Sequence, residues 1–127
     1  MPAASDSEPR RSLLLRGVLD MCVLAMVQRQ PDHVYGLVGR LADRGLGKVS
    51  FGSLYPLVDR LRQQGLLDNT TQQSPFGPPR TVLSLSHAGE TTLKRWTEQW
   101  QAVNDAVVRL LDPPRDEPEP STHAQEI

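Results

Sequence analysis

The side chains best equipped for chemistry in this chain are cations and aromatics. Lys48, Arg60, Arg62 and Arg80 fall around one amphipathic segment that also carries Ser50, Ser53 and Tyr55. Ammonium and guanidinium groups beside hydroxyl and phenol donors are the set that neutralises and hydrogen-bonds phosphate. Trp96 and Trp100 form a second set. They lie one helical turn apart, where two indole rings share a face. Such a pair reads as the apolar core of a contact between helices. The means for acid–base or metal chemistry are scarce. His33, His87 and His123 are scattered, with no pair at metal-ligand spacing. The single Cys22 sits in an apolar run and reads as a small hydrophobe. There is no Gly-rich phosphate loop, no nucleophile elbow and no convincing carboxylate pair. No enzyme activity, no metal and no cofactor is therefore expected.

Charge is distributed unevenly. The net charge of −1 hides a basic body, in which residues 10–80 carry ten Lys or Arg against five Asp or Glu. Residues 112–127 carry five acids against one Arg. A basic body with an acidic tail suits a surface that meets a polyanion, although a solvated face produces the same excess. No apolar stretch approaches the roughly 20 residues that cross a bilayer. Met1 to Arg10 lacks the apolar run of a signal peptide. The expectation is a cytoplasmic protein without a membrane partner.

The elements that must position these groups follow from periodicity. Ser12 is expected to cap a first helix at 13–29, with Leu15, Val18, Leu19, Cys22, Val23 and Met26 as its apolar stripe. Residues 1–12 read as a disordered or arm-like start, whose Arg10 and Arg11, with Arg16 beyond, are either a basic arm or solvated charge. A second helix runs from about Val34 to Gly45, with Leu37, Val38 and Leu41 inside. Ser50 caps a third at about 51–64, with Leu54, Leu57, Val58 and Leu61 inward. At 100° per residue Gly52, Pro56, Asp59 and Gln63 lie opposite, flanked by Ser53 and Arg60, with Tyr55 at the boundary. Leu66 to Gln73 and Arg80 to Leu85 read as strands of a hairpin with a Pro-rich tip. Ser86 caps a final helix at about 87–111. Its seam, Leu93, Trp96, Trp100, Val103, Val107 and Leu110, has the heptad-like spacing of a helix packed along another helix. Pro113 and Pro114 end it, and 112–127 reads as a disordered acidic tail.

The fold class expected is therefore mainly α with a small β-hairpin: a winged helix-turn-helix at 13–85, then a long C-terminal dimerisation helix at 86–111. In that arrangement the third helix enters the major groove and the hairpin, the wing, lies along the backbone. The small Gly52 and Ser53 let the helix start come close to DNA. The DNA-binding candidates are Lys48, Ser50, Gly52, Ser53, Tyr55, Pro56, Arg60, Gln63 and Arg80. Tyr55 reads as a phosphate donor or a half-buried ring, Gln63 as a base reader or a solvated amide. Arg62, nearer the inner edge, reads as a surface residue.

The run from Val49 through Gly52-Ser53-Leu54-Tyr55-Pro56 to Leu61, followed by Gly65-Leu66, closely resembles the recognition-helix signature of the PadR-type regulators, named for the phenolic-acid-decarboxylase regulator. Leu14 to Met26 with Tyr35-Gly36, then Pro79-Arg80 and Leu85-Ser86-His87-Ala88-Gly89, resemble that family's other elements over about residues 13–111. Val82 and Leu83 stand where the family often has wing aromatics, and Ser86 where it usually has Thr. The resemblance implies a homodimer, with helix four against helix one of the partner, and repression of a nearby gene relieved by a small molecule or another signal. A two-fold dimer reads a near-palindrome with half-sites about one helical turn apart. The single final helix looks like the smaller subgroup, in which a tryptophan of that helix lines a cavity at the dimer interface and stacks on planar drugs. Leu93, Trp96, Trp100 and Val103 are the effector or dimer-interface candidates. The competing function is a winged helix that binds protein rather than DNA; the basic, polar outer face of the third helix favours DNA.

Overall fold

The computed structural model describes residues 3–112, with side chains from residue 8. In chain order the elements are α1 (Ala3–Arg29), α2 (Val34–Leu41), α3 (Phe51–Gln63), β1 (Leu67–Gln72), β2 (Arg80–Leu85) and α4 (His87–Leu111). Of the tail expected at 112–127, residues 113–127 lie outside the described residues. The fold is the expected one, mainly α with a two-stranded antiparallel hairpin and a long last helix.

Two boundaries differ from expectation. The first helix does not begin at a Ser12 cap but continues from Ala3 through Pro9. The extension is tied down by Arg11, whose guanidinium donates to the carbonyl of Leu46 at 2.7 Å. That contact crosses 35 positions in the chain and has no signature in local periodicity. The second helix ends at Leu41 rather than Gly45 and gives way to a wider irregular turn, Ala42–Leu46. Gly45 (φ 102°) and Gly47 (φ 77°) then take left-handed conformations that reverse the chain toward α3.

The core assembles from α1, α2, α3, the hairpin and the start of α4. Val23, Leu24 and Val27 of α1 meet Leu37 and Leu41 of α2, Leu54 and Leu61 of α3, Leu67 and Leu83 of the hairpin, and Leu93 of α4. Of the α1 stripe, Val23 and Met26 are buried and Leu19 and Cys22 pack at the margin. Chain packing divides the protein into Met1–Thr97 and Glu98–Ile127, so the first eleven residues of α4 belong with the compact unit.

The junctions are held by specific hydrogen bonds. Helix α3 ends in a reversal in which Gly65 N–H donates to Arg62 O (3.0 Å) and Leu66 N–H to Leu61 O (3.0 Å). Ser86 Oγ donates to Gly65 O (2.6 Å) and accepts from Gly89 N–H (2.9 Å), joining the end of α3 to the start of α4. Between α1 and α2, Asp32 pairs its backbone with Leu83 in both directions, at 3.2 and 2.8 Å, extending the hairpin by one bridge. Arg40 closes this corner, reaching Met26 O (2.9 Å), Gln30 O (3.0 Å) and Asp32 Oδ2 (3.2 Å).

Candidate nucleic-acid interface

Helix α3 splits cleanly into two faces. Leu54, Leu57, Val58 and Leu61 are buried, while Gly52, Ser53, Tyr55, Pro56, Arg60 and Gln63 are exposed. Lys48, Ser50 and Arg80 are exposed as well. Ser50 caps the helix, its Oγ accepting from Ser53 N–H at 3.2 Å, so this hydroxyl is partly committed to structure. Pro56 has no N–H for the carbonyl of Gly52, which leaves that acceptor without its usual helical donor on the exposed face. Arg62 is ion-paired with Asp59 one turn back, which offsets its charge. Lys48, Arg60 and Arg16 make no ion pair among the described residues.

Two open clefts flank α3. One, of about 580 Å³, lies between α1 and the start of α3 and brings together Arg16, Lys48, Ser50, Ser53, Pro56 and Arg60. The other, of about 520 Å³, lies between α3, the start of α2 and the hairpin, with His33, Tyr35, Tyr55, Asp59, Arg62 and Arg80 on its walls. Most of the expected DNA-contacting residues thus line one cleft or the other, whereas Gln63 lines neither.

Sequence reasoning missed part of this surface. Tyr35 and Phe51 stack with ring centroids 5.1 Å apart and planes 12° apart. Phe51 meets Tyr55 at 5.9 Å, and His33 meets Tyr35 at 6.5 Å. This aromatic row joins the start of α2 to the first turn of α3. No periodicity in the chain announces it, because its members come from two helices. Arg80 Nη1 lies 3.2 Å from His33 Nε2, so the base of the wing meets the start of α2.

Of the four effector or dimer-interface candidates, Leu93 and Trp96 are held by the chain's own core and Trp100 and Val103 are open. Leu93 is buried, 6 % exposed, in the core of the Met1–Thr97 unit, so it serves its own chain first. Trp96 packs against the same core. In the second unit Trp100 (43 % exposed) and Val103 (59 % exposed) lie uncovered. No group of His, Cys, Asp or Glu suited to a metal occurs among the described residues. None of the described helices is long and apolar enough to cross a membrane.

Three helices, a hairpin and a closing helix, with an exposed third helix beside the hairpin, define a winged-helix protein. The family model of the transcriptional regulator PadR-like family matches residues 23–95. A PadR family transcriptional regulator from Eggerthella lenta DSM 2243 is 34 % identical, with a TM-score of 0.78 over 90 % of this chain and 100 % of that one. A PadR-like regulator from Bacillus cereus strain ATCC 14579 is 30 % identical, with a TM-score of 0.73 over 80 % of this chain and 99 % of that one. A Streptococcus transcriptional regulator is 31 % identical, with a TM-score of 0.71 over 78 % and 97 % of the two chains. No curated protein matches. The chain belongs to the PadR-like family of transcriptional regulators, DNA-binding proteins rather than enzymes.

Proposed function

We propose that this protein is a repressor that binds a near-palindromic operator as a homodimer, each copy presenting α3 to the major groove and the hairpin to the backbone. The observation that carries this reading is the outer side of α3. All nine residues expected at DNA are exposed, and Lys48 and Arg60 make no ion pair among the described residues. Lys48, Arg60 and Arg80 would neutralise phosphates; Ser53, Gln63 and the backbone at Gly52 and Pro56 would approach base edges; Ser50 would hold the helix start and Tyr55 would donate to phosphate.

Self-association is supported by apolar side chains left open in the single chain. Leu13 and Leu14 of α1 and Trp100, Val103, Val107 and Val108 of α4 are all exposed. A second copy, its α4 laid on α1 of the first, is the occupant the family resemblance implies. Near-complete coverage of the similar solved chains supports the smaller subgroup with one final helix. A planar aromatic effector stacking at Trp96 and Trp100 is the release signal proposed, and the cytoplasm is the proposed location.

The test is light scattering together with fluorescence anisotropy on the duplex immediately upstream of the protein's own gene, at low and moderate salt. A dimer whose affinity falls with salt, by roughly 0.9 in log–log slope per phosphate engaged, is the expected result. A monomer indifferent to that duplex at low salt overturns the reading.

A further inference from the structure

Resting on the DNA-binding reading above, we propose that His33 is itself a DNA contact: its Nε2–H and the Arg80 guanidinium together hold one backbone phosphate oxygen.

The neighbours of the imidazole fix which ring nitrogen carries its proton. Gly36 N–H donates to His33 Nδ1 at 3.1 Å, so Nδ1 must present its lone pair. In the neutral ring the proton then sits on Nε2. Nε2 lies 3.2 Å from Arg80 Nη1, which is also a donor and has no lone pair. Two N–H donors therefore face each other at hydrogen-bond range with no acceptor between them. Asp32 does not supply one. Its Oδ1 is 3.6 Å from Nε2, too far for a hydrogen bond, and already accepts His33 N–H at 2.8 Å. Its Oδ2 accepts from Arg40 at 3.2 Å.

An anionic oxygen placed over the pair satisfies both donors at once. The surroundings suit a phosphate. Arg80 is exposed, and the His33 side chain is about 29 % exposed. Tyr35 and Tyr55 line the same cleft. The negative groups nearby are matched, Asp32 by Arg40 and Asp59 by Arg62. The two donors are also held in a fixed relation, because the residue before His33 pairs its backbone with Leu83 of the strand that begins at Arg80. His33 thereby couples the start of α2 to the wing across one phosphate.

His33→Asn separates this role from helix capping. Asn is a favoured cap whose Oδ1 can accept Gly36 N–H, and it has no donor at the position of Nε2. Anisotropy is measured on the upstream duplex and on a random-sequence duplex of equal length, for the wild type, His33→Asn, Arg80→Gln and the double variant. His33→Asn is expected to keep the wild-type melting temperature and to bind both duplexes roughly tenfold more weakly, since the lost hydrogen bond goes to a charged group. Arg80→Gln is expected to make the salt slope shallower by roughly 0.9. The double variant is expected to lose less than the product of the two single effects. A folded His33→Asn that binds both duplexes like the wild type overturns this inference alone; His33→Ser, another capping residue, serves the same purpose should Asn disturb the fold. A wild-type chain that binds neither duplex overturns the DNA-binding reading and this inference with it.

Discussion

The carboxylate of Asp32 fills the space that a side chain at position 36 would need, so that even a Cβ on Gly36 would collide with it. Asp32 is not free to swing aside. It is fixed by Arg40, by His33 N–H and by its backbone pairing with Leu83. Gly36→Ala is therefore expected to destabilise the protein by about 1–3 kcal/mol, the usual cost of overpacking. The same substitution is expected to cost less in an Asp32→Ala background, and a double-mutant cycle in urea measures the difference. Equal costs in both backgrounds would show that the collision is not the cause.

Two other glycines predict opposite signs. A Cβ on the buried Gly89 would strike the backbone carbonyl of Leu66 and the side chain of Leu85. A backbone atom cannot rotate away, so Gly89→Ala is expected to cost about 3 kcal/mol or more, at the upper end of overpacking. Gly17, in the interior of α1, has open space around it. Gly17→Ala is expected to stabilise by about 0.5–1 kcal/mol through helix propensity. Urea midpoints of the two variants should move in opposite directions, and a destabilised Gly17→Ala would place a partner surface against α1 there.

What could be read from the chain was what local pattern encodes. The inner faces of α2 and α3, the Ser50 and Ser86 caps and the span of β2 all follow from spacing and turn chemistry within a few residues. What could not be read depends on distant partners. Arg11 holding Leu46 O fastens α1 just upstream of Ser12. Asp32 joining the hairpin, and His33 meeting Arg80 across 47 positions, are tertiary events. Leu93 fits a heptad seam equally well whether it faces a second helix or its own core, and only the fold decides for the core.

Tyr55 gives the phosphate contacts their most direct test. Its ring leans on Phe51 at 5.9 Å while the side chain remains 56 % exposed. Tyr55→Phe keeps that packing and removes only the hydroxyl. Operator affinity is expected to fall about tenfold, as for one hydrogen bond to a charged group, with the dimer intact. Tyr55→Ala is expected to fall further. Unchanged affinity in both variants would place α3 against DNA in some other orientation.

Cys22 sets an alkaline limit. Burial, and secondarily the charge of Asp20, push its thiol above the ordinary value of 9.0. The unfolded chain gives up this proton at lower pH than the folded one does. The contribution is thus fully present below pH 9.0 and is lost as pH rises through the folded value. Alkylation by iodoacetamide at pH 8.5 is expected to be slower in the native protein than in urea. The extra loss of stability above pH 9.0 should vanish in Cys22→Ala. Native and unfolded chains reacting at the same rate would contradict the burial argument.

Trp100 and Trp96 should separate under mutation because they stand in different surroundings. Trp96 packs on the core of the compact unit, whereas Trp100 is 43 % exposed in the second unit, on a helix that also leaves Val103 and Val107 uncovered. If a second copy covers that stretch, Trp100 is its large aromatic anchor, and truncating such an anchor costs about 2 kcal/mol or more. Trp100→Ala is then expected to weaken self-association by roughly thirtyfold or more in analytical ultracentrifugation, without lowering the melting temperature of the diluted monomer. Trp96→Ala is expected to lower that melting temperature instead. Planar dyes that quench the wild type but not Trp100→Phe would place the effector at this interface. No quenching across a broad panel would leave Trp100 with the dimer alone.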